Sequence, residues 1–300
     1  RRVVTAGAPA TIPLQEKFRK LLDDKTNLFG IYGATETLPI AKIESREIFA
    51  LKERTEQGAG VCLGKPIEGV TVRIIPITDE SISEWRDDLE VGKNVVGEIT
   101  VQSAATTRGY VQREDANRLS KIYCHREEGA LPNEAISELG FEIEVIHRTG
   151  DVGYFDEEGR LWYCGRKSHR VVTSNGVMFT EQIENIFNAH PQVNRTALVG
   201  VNGEPVLWVE PRVKLRKSFG RLPALPASWQ ASEVFIIQDK IRQELMAMAK
   251  HHPQASKIKE YLFMKKFPTD ARHNSKIIRE QLTVQANKRI SNHKSPVSNL

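Results

Sequence analysis

No stretch of about 18 consecutive apolar residues occurs in the sequence, so no membrane-crossing helix is expected. The first residues, RRVVTAGAPAT, are basic but lack the apolar run of a secretory leader. Cysteine is scarce. Cys62, Cys124 and Cys164 are widely separated, odd in number and match no metal-ligand spacing, which argues against a disulfide framework or a zinc centre. Cys124 adjoins His125, but neighbours in sequence do not aim their side chains at each other, so no nucleophilic pair is inferred. Reduced thiols and no leader point to a cytoplasmic protein. Internal repeats, low-complexity tracts, zinc fingers, RNP motifs and interleaved aromatic and basic residues are all missing, which makes nucleic acid a poor candidate partner.

What is present fits a globular enzyme-sized chain. Its 300 residues can form two domains of ordinary size, and 40% hydrophobic with 27% charged residues suits a folded core with a solvated surface. The net charge of +5 is unevenly spread. From Pro211 to Leu300 there are 18 Lys and Arg against 6 Asp and Glu, a balance of +12, so the first 210 residues carry −7. A basic lobe beside an acidic one suits a small phosphorylated ligand better than a nucleic acid here, because the basic residues are scattered through amphipathic helices.

Strand and helix signals alternate throughout, which implies an α/β or α+β class. Strands are expected at RRVVTAGAP, at TVRIIPI (71–77) and at GEITVQS (97–103), and a short helix at PLQEKFRKLLDD (13–24). DEEGRLWYCGR (156–166) reads as a hairpin turning at Gly159. Beyond it, TEQIENIFNAHP reads as a helix capped by Thr180, TALVGV and PVLWVEP as strands, and Ser232 to His252 as a long helix with Val234, Ile237, Ile241, Leu245 and Met248 on one face. EYLFMKKFP reads as a strand leading to a polar loop and a last helix, with fraying from about residue 288. RKSFGRLPALPAS is a Pro-rich loop, and a domain boundary is expected near Lys167–His169.

Chemistry concentrates in three segments. YGATE (32–36) sets an aromatic ring four residues from a carboxylate with almost no bulk between them. Tyr32 offers a flat face to a base, worth about 1–3 kcal/mol per stacked base. Gly33 and Ala34 leave backbone N–H groups accessible to phosphate, Thr35 can donate to a phosphate oxygen, and Glu36 is a hard ligand suited to Mg²⁺. The other two segments are HRTGDVGYFDEEGRLWYCGRKSHRV (147–171) and PTDARHNSKIIR (268–279).

In this order and at these separations the three segments resemble the AMP-forming, adenylate-forming superfamily of acyl-CoA synthetases, luciferases and peptide-synthetase adenylation domains. The resemblance spans nearly the whole chain, as the C-terminal portion of such an enzyme. It implies residues 1–167 as the end of the large AMP-binding domain, a partial lobe of sheet, helices and barrel-like strands. It implies residues 168–300 as a small, mobile α+β lid that pivots at Ser168. Asp151 would grip the ribose hydroxyls, and Arg166 the ribose or a phosphate as a rigid fork. Gly7, Ala8 and Pro9 would lie along the adenine. Lys276 would serve catalysis by reaching the α-phosphate and the substrate carboxylate, with Thr35 at a phosphate oxygen and Glu36 on the metal as the other catalytic residues.

Some positions depart from the family's pattern. Ser168 stands where an acid or Lys is usual, Val172 where Lys is usual, Gly176 falls one residue late after Asn175, and HNSK replaces a Gly-Lys pair. In members that use coenzyme A this region lines the pantetheine tunnel, so a CoA role is doubtful. The variants YGATETLP, GRKSHRV and RHNSKI resemble the olefin-biosynthesis branch, often labelled fatty-acid CoA ligases, whose members adenylate a β-hydroxy fatty acid and close it to a β-lactone. The implied ligands are ATP or AMP, Mg²⁺ and a fatty acid. Acyl-CoA ligation, and a non-catalytic nucleotide-binding module, remain as alternatives. Nothing here resembles the family's phosphate loop, so the N-terminal part of the enzyme is expected to be missing and the chain alone to bind ATP weakly with negligible turnover.

Overall fold

The computed structural model describes residues 1–7, 11–124, 144–212, 227–270 and 276–294. The chain divides into two compact units, Arg1–Lys52 with Val61–Ser168, and Glu53–Gly60 with His169–Leu300.

The first unit is built on one open sheet of nine strands rather than a closed barrel. Its strands are β1 (Arg2–Thr5), β2 (Asn27–Ala34), β3 (Thr37–Glu44), β4 (Val61–Pro66), β5 (Val70–Ile75), β6 (Gly97–Ser103), β7 (Lys121–Cys124), β8 (Glu144–Phe155) and β9 (Leu161–Arg166). Their spatial order is β1-β2-β3-β4-β9-β8-β6-β5. Only β1 and β2 run parallel; the rest pair antiparallel. β8 organises the sheet. One edge of it pairs with β6, while the other pairs first with β7 and then with β9. Alternation explains the core: Val72 and Ile74 of β5 and Ile99 and Val101 of β6 point to one side, with Ile40, Ala41 and Leu161. Ile75, Ile122 and Ile146 pack on the other.

Two polar residues of β6 and β8 are also buried. Arg148 and Glu98 each expose 1% of their side chains and meet at 2.6 Å. Lys167 Nζ joins them, donating to Glu98 Oε2 at 3.2 Å and to the Thr78 carbonyl at 2.9 Å. Arg148 also donates to the carbonyls of Thr78 and Glu80, both at 2.7 Å.

The helix expected at 13–24 spans Ile12–Arg19 only. Past Lys20 the backbone bonds tighten, Leu21 N–H donating to Phe18 O at 3.0 Å and Leu22 N–H to Arg19 O at 3.1 Å, which closes the ladder. The Arg19 guanidinium then folds over the following turn, donating to Asp23 O at 2.6 Å and to Thr26 O.

The second unit packs a three-stranded sheet between helices. β12 (Val193–Val201) and β13 (Glu204–Pro211) are antiparallel, and β14 (Glu260–Phe263) runs parallel to β13. Leu207 and Val209 face the helices Thr180–Asn188 and Ala227–Ala249, where Ile241 and Leu245 are fully buried, with Ile237 and Met248 against them. Val206 and Trp208, on the opposite face, meet Leu282 and Ala286 of the helix Arg279–Lys294. A hairpin of β10 (Val171–Thr173) and β11 (Gly176–Met178) precedes them, so Gly176 closes its two-residue turn.

Two local expectations change here. Thr180 is the first helical residue, buried, and the cap position is Phe179 with no side-chain hydrogen bond. The last helix does not fray at 288 but runs to Lys294, because Arg289 lies 4.9 Å from the Trp208 ring, donates to Phe263 O at 3.1 Å, and Ile290 packs on the core. Of the Pro-rich loop expected at 216–228, residues 216–226 lie outside the described residues, and Ala227 and Ser228 open the helix Ala227–Ala249 instead.

Glu181 gives this unit a specific pH response. Burial, then the charge of Glu184, push its carboxyl up to about 7, against the pull of Arg279 and a hydrogen bond from Asn185. Unfolded, the same group loses its proton near the ordinary glutamate value of 4.5. Between those values the folded chain holds more protons than the unfolded one, so this contribution weakens as pH rises from about 4.5 to about 7. Denaturant midpoints taken across that range should fall in the native chain and stay flatter in Glu181→Gln.

Candidate active site

The turn between β2 and β3 carries the YGATE segment. A Cβ on Gly33 would meet Leu38 Cδ1 at 2.5 Å and Thr37 O at 3.1 Å, so a larger residue would have to push the Leu38 side chain aside and crowd the Thr37 carbonyl. Tyr32 lies on β2 ahead of the turn and Glu36 within it, and each is held by a separate polar cluster.

The first cluster centres on Asp151. In RTGD the Thr149 hydroxyl donates to Ile99 O at 2.9 Å and accepts the Asp151 N–H at 3.1 Å. Gly150 sits at φ +70°, a left-handed turn that other residues adopt only with strain. The result aims the Asp151 carboxylate back across the sheet. Its Oδ2 accepts from the Tyr32 hydroxyl at 2.7 Å, and its Oδ1 from Arg166 Nη1 at 2.8 Å. Arg166 is the direct cross-strand partner of Asp151 in the β8–β9 register and also reaches Thr149 O at 3.2 Å. Burial, then the Asp151 charge, raise the Tyr32 phenol well above its ordinary range. Burial works against the Arg166 charge, but Asp151 outweighs it and holds the guanidinium protonated. The Tyr32 ring tilts 37° from that of Tyr163, with centroids 6.5 Å apart.

The second cluster holds Glu36. Tyr110 donates its hydroxyl to Glu36 Oε1 at 2.6 Å. Asn117 fixes Tyr110 at two points, accepting its N–H at 2.6 Å and donating to its carbonyl at 2.9 Å. The Glu36 carbonyl accepts the Thr107 N–H at 2.8 Å, and buried Lys121 donates to Thr107 O at 2.5 Å and Oγ1 at 3.1 Å. Lys121 Nζ also lies 5.7 Å from the Tyr110 ring centre. His147, the cross-strand partner of Lys121, contacts Ser120 O through Nδ1 at 3.1 Å. Burial and the Lys121 charge push its imidazole down to about 4, so it is neutral at pH 7.

Burial alone would raise the Glu36 carboxyl, but the Tyr110 hydroxyl, its own backbone, His147 and Lys121 together hold it below the ordinary value. It is therefore ionised at neutral pH. Among the described residues, no protein donor is seen on Oε2. An ionised carboxylate with one oxygen anchored and one available fits a divalent cation that also binds phosphates. No group of three or more His, Cys, Asp or Glu forms a separate metal cage among the described residues. His147 and Asp151 both lie on β8, so one strand carries a residue of each cluster.

The remaining candidates are dispersed. Thr35 is exposed at the turn, and Gly7 follows β1 at φ +99°. Ala8 and Pro9 lie outside the described residues. Ser168 is exposed and is the last residue of the first unit. Lys276 is exposed in the second unit, just ahead of the helix Arg279–Lys294. Sequence reasoning passed over Tyr110, Asn117, Lys121, His147 and Thr149. Thr149 had a signal inside RTGD, but Tyr110 and Glu36 are 74 positions apart, and only the fold unites them.

Removing the Tyr110 hydroxyl should let burial dominate at Glu36. In Tyr110→Phe the carboxyl pKa is expected to rise, read by a ¹³C-carboxyl titration, with about 1 kcal/mol of stability lost. An unchanged Glu36 titration would mean the hydroxyl does not control it.

The family model described as AMP-binding enzyme matches residues 1–111. Over 290 residues, 95% of this chain, the sequence is 42% identical to the olefin beta-lactone synthetase of Xanthomonas campestris pv. campestris, and covers 47% of that protein. It is 29% identical over 207 residues to the 2-succinylbenzoate–CoA ligase of Bacillus cytotoxicus, covering 68% of this chain and 34% of that one. The fold matches the O-succinylbenzoate coenzyme A synthetase of Bacillus subtilis, solved with ATP and a magnesium ion, at a TM-score of 0.58 and 21% identity, over 94% of this chain and 46% of that one. The chain thus spans about half the length, or less, of these relatives. With the sheet, the two polar clusters and these likenesses together, the chain belongs to the AMP-binding family of adenylate-forming enzymes.

Proposed function

We propose that this chain is the C-terminal part of a cytoplasmic enzyme that uses ATP to adenylate a β-hydroxy fatty acid and then closes the acyl-AMP to a β-lactone. Residues 1–167 act as the end of the large AMP-binding domain, and residues 168–300 as its lid, pivoting at Ser168. The reading is carried by the likeness to the Xanthomonas β-lactone synthetase, which extends over both units.

The resemblance to adenylate-forming enzymes implies the residue roles, and the chemistry of each side chain suits them. The Asp151 carboxylate binds the ribose diol, with Arg166 beside it as a fork for ribose or phosphate. Tyr32 presents its ring to the base, with Gly7, Ala8 and Pro9 along the adenine edge. Gly33, Ala34 and Thr35 line the phosphates. Glu36, ionised and anchored by Tyr110, holds Mg²⁺, which supplies charge neutralisation on the phosphates when bound. Lys276 stabilises the negative charge that builds as the substrate carboxylate attacks the α-phosphorus and pyrophosphate leaves. In the second half-reaction the substrate's own β-hydroxyl attacks the acyl carbon and AMP departs. An internal nucleophile of this kind enjoys a high effective molarity and needs no thiol.

Thioester formation is the second reading, favoured by the likeness to a 2-succinylbenzoate–CoA ligase. The two separate on products. The full-length enzyme, given a β-hydroxy fatty acid and ATP with and without CoA, should yield a β-lactone, AMP and pyrophosphate in both cases. A CoA thioester, formed only when CoA is added, would establish the alternative. The chain by itself, having no segment that resembles the phosphate loop, should show negligible pyrophosphate exchange.

A further inference from the structure

A lysine acts on a reacting phosphorus only if its backbone is held, because its four-carbon stem is flexible. The two segments that flank Lys276 pair with each other. Asp270 N–H donates to Lys276 O at 2.9 Å, Ile278 N–H to Pro268 O at 3.0 Å, and Thr269 lies opposite Ile277. Each flank then ends on a buried carboxylate.

Upstream, Phe267 is 2% exposed and donates its N–H to Glu210 Oε2 at 2.7 Å. Glu210 also accepts from Arg195 Nε at 3.0 Å and Asn194 Nδ2 at 2.5 Å, and the Arg195 guanidinium lies 5.5 Å from the Phe267 ring centre. Downstream, Arg279 forks onto Glu184, with Nη1 to Oε1 at 2.5 Å and Nη2 to Oε2 at 3.0 Å. Arg279 Nη1 also donates to Leu198 O at 3.1 Å, while Glu184 Oε1 accepts the Leu198 N–H at 2.8 Å. Both anchors therefore tie a flank of Lys276 to the same sheet, one through the cross-strand pair Arg195 and Glu210, the other through Leu198 of β12.

We propose that Glu184 and Glu210 are positioning residues for Lys276, each fixing one of the two segments that carry it. A general stabilising role would not require both carboxylates to end on the two sides of one lysine. Charge-assisted hydrogen bonds of this kind resist small displacements, and a misplacement of about 1 Å at a reacting centre can cost on the order of 10²-fold in rate. The inference rests on the adenylation reading of Lys276, but its test is separable from that reading.

The test is amide hydrogen exchange on this chain. In Glu184→Gln and Glu210→Gln, the amides of Asp270 and Ile278 should exchange on the order of tenfold faster, while those of Trp208 and Val209 in β13 keep their protection. Arg279→Lys, which keeps the charge but loses the fork, guards against a variant that fails to fold and should show a smaller effect at the same amides. Unchanged exchange at Asp270 and Ile278, or an equal loss in β13, overturns the proposal. So does faster exchange combined with an undiminished adenylation kcat in the full-length enzyme. Should Lys276→Ala itself retain adenylation, the functional reading fails while the exchange result still stands or falls alone.

Discussion

Replacing Lys276 with alanine should lower carboxylate-dependent pyrophosphate exchange by about 10²–10³-fold in the full-length enzyme while leaving AMP affinity nearly unchanged. In the proposed reaction, the charge that Lys276 would meet develops only as the carboxylate oxygen bonds to the α-phosphorus. An interaction made mainly in the transition state appears in kcat rather than in ground-state binding. Loss of one such donor costs about 3–4 kcal/mol, which is the factor quoted. A variant with normal exchange would remove the residue from the chemistry and favour the nucleotide-binding module. A variant that loses AMP affinity in proportion would make Lys276 a binding residue instead. Asp151→Ala offers the contrast, since its loss should appear in nucleotide affinity.

The second large effect concerns stability. Arg148→Met should destabilise the first unit by about 3–5 kcal/mol, read from denaturant unfolding. The substitution leaves Glu98, 1% exposed, with only Lys167 to balance its charge, removes the Arg148 donor from the Glu80 carbonyl, and leaves the Thr78 carbonyl with Lys167 alone. The double variant Arg148→Met, Glu98→Leu removes the stranded charge and should recover part of the loss. The Arg148 bonds to the two carbonyls stay lost, so recovery is incomplete. A double variant no better than the single one would show that the packing of the arginine stem, not its charge, matters.

Much of the fold was legible because it is written in local patterns. β6 runs from Gly97 to Ser103 as its alternation implies, and the hairpin after Phe155 turns through Gly159. The length of the first helix was not legible, since Leu21 and Leu22 continue an apolar stripe although the backbone bonds there have already tightened and closed the helix. The end of the last helix was missed for the opposite reason. Its polar surface gives no hint that Arg289 lies against Trp208. At the candidate site, the ring, acids and guanidinium could be picked from short motifs, but their supports could not. Lys121 reads as an ordinary surface charge until β7 and β8 pair and bury it. Tyr110 lies in a segment with no motif of its own, and its meaning depends on a hydrogen bond that spans the sheet.

Both oxygens of Asp151 are already engaged, one by a phenol and the other by a guanidinium. Each carboxylate oxygen still has a lone pair to offer, so a sugar diol can be accepted beside the phenol and the guanidinium without displacing either. Those two donors fix the direction in which the remaining lone pairs point, so a ligand lacking the hydroxyls would forfeit the added bonds even when its base fits.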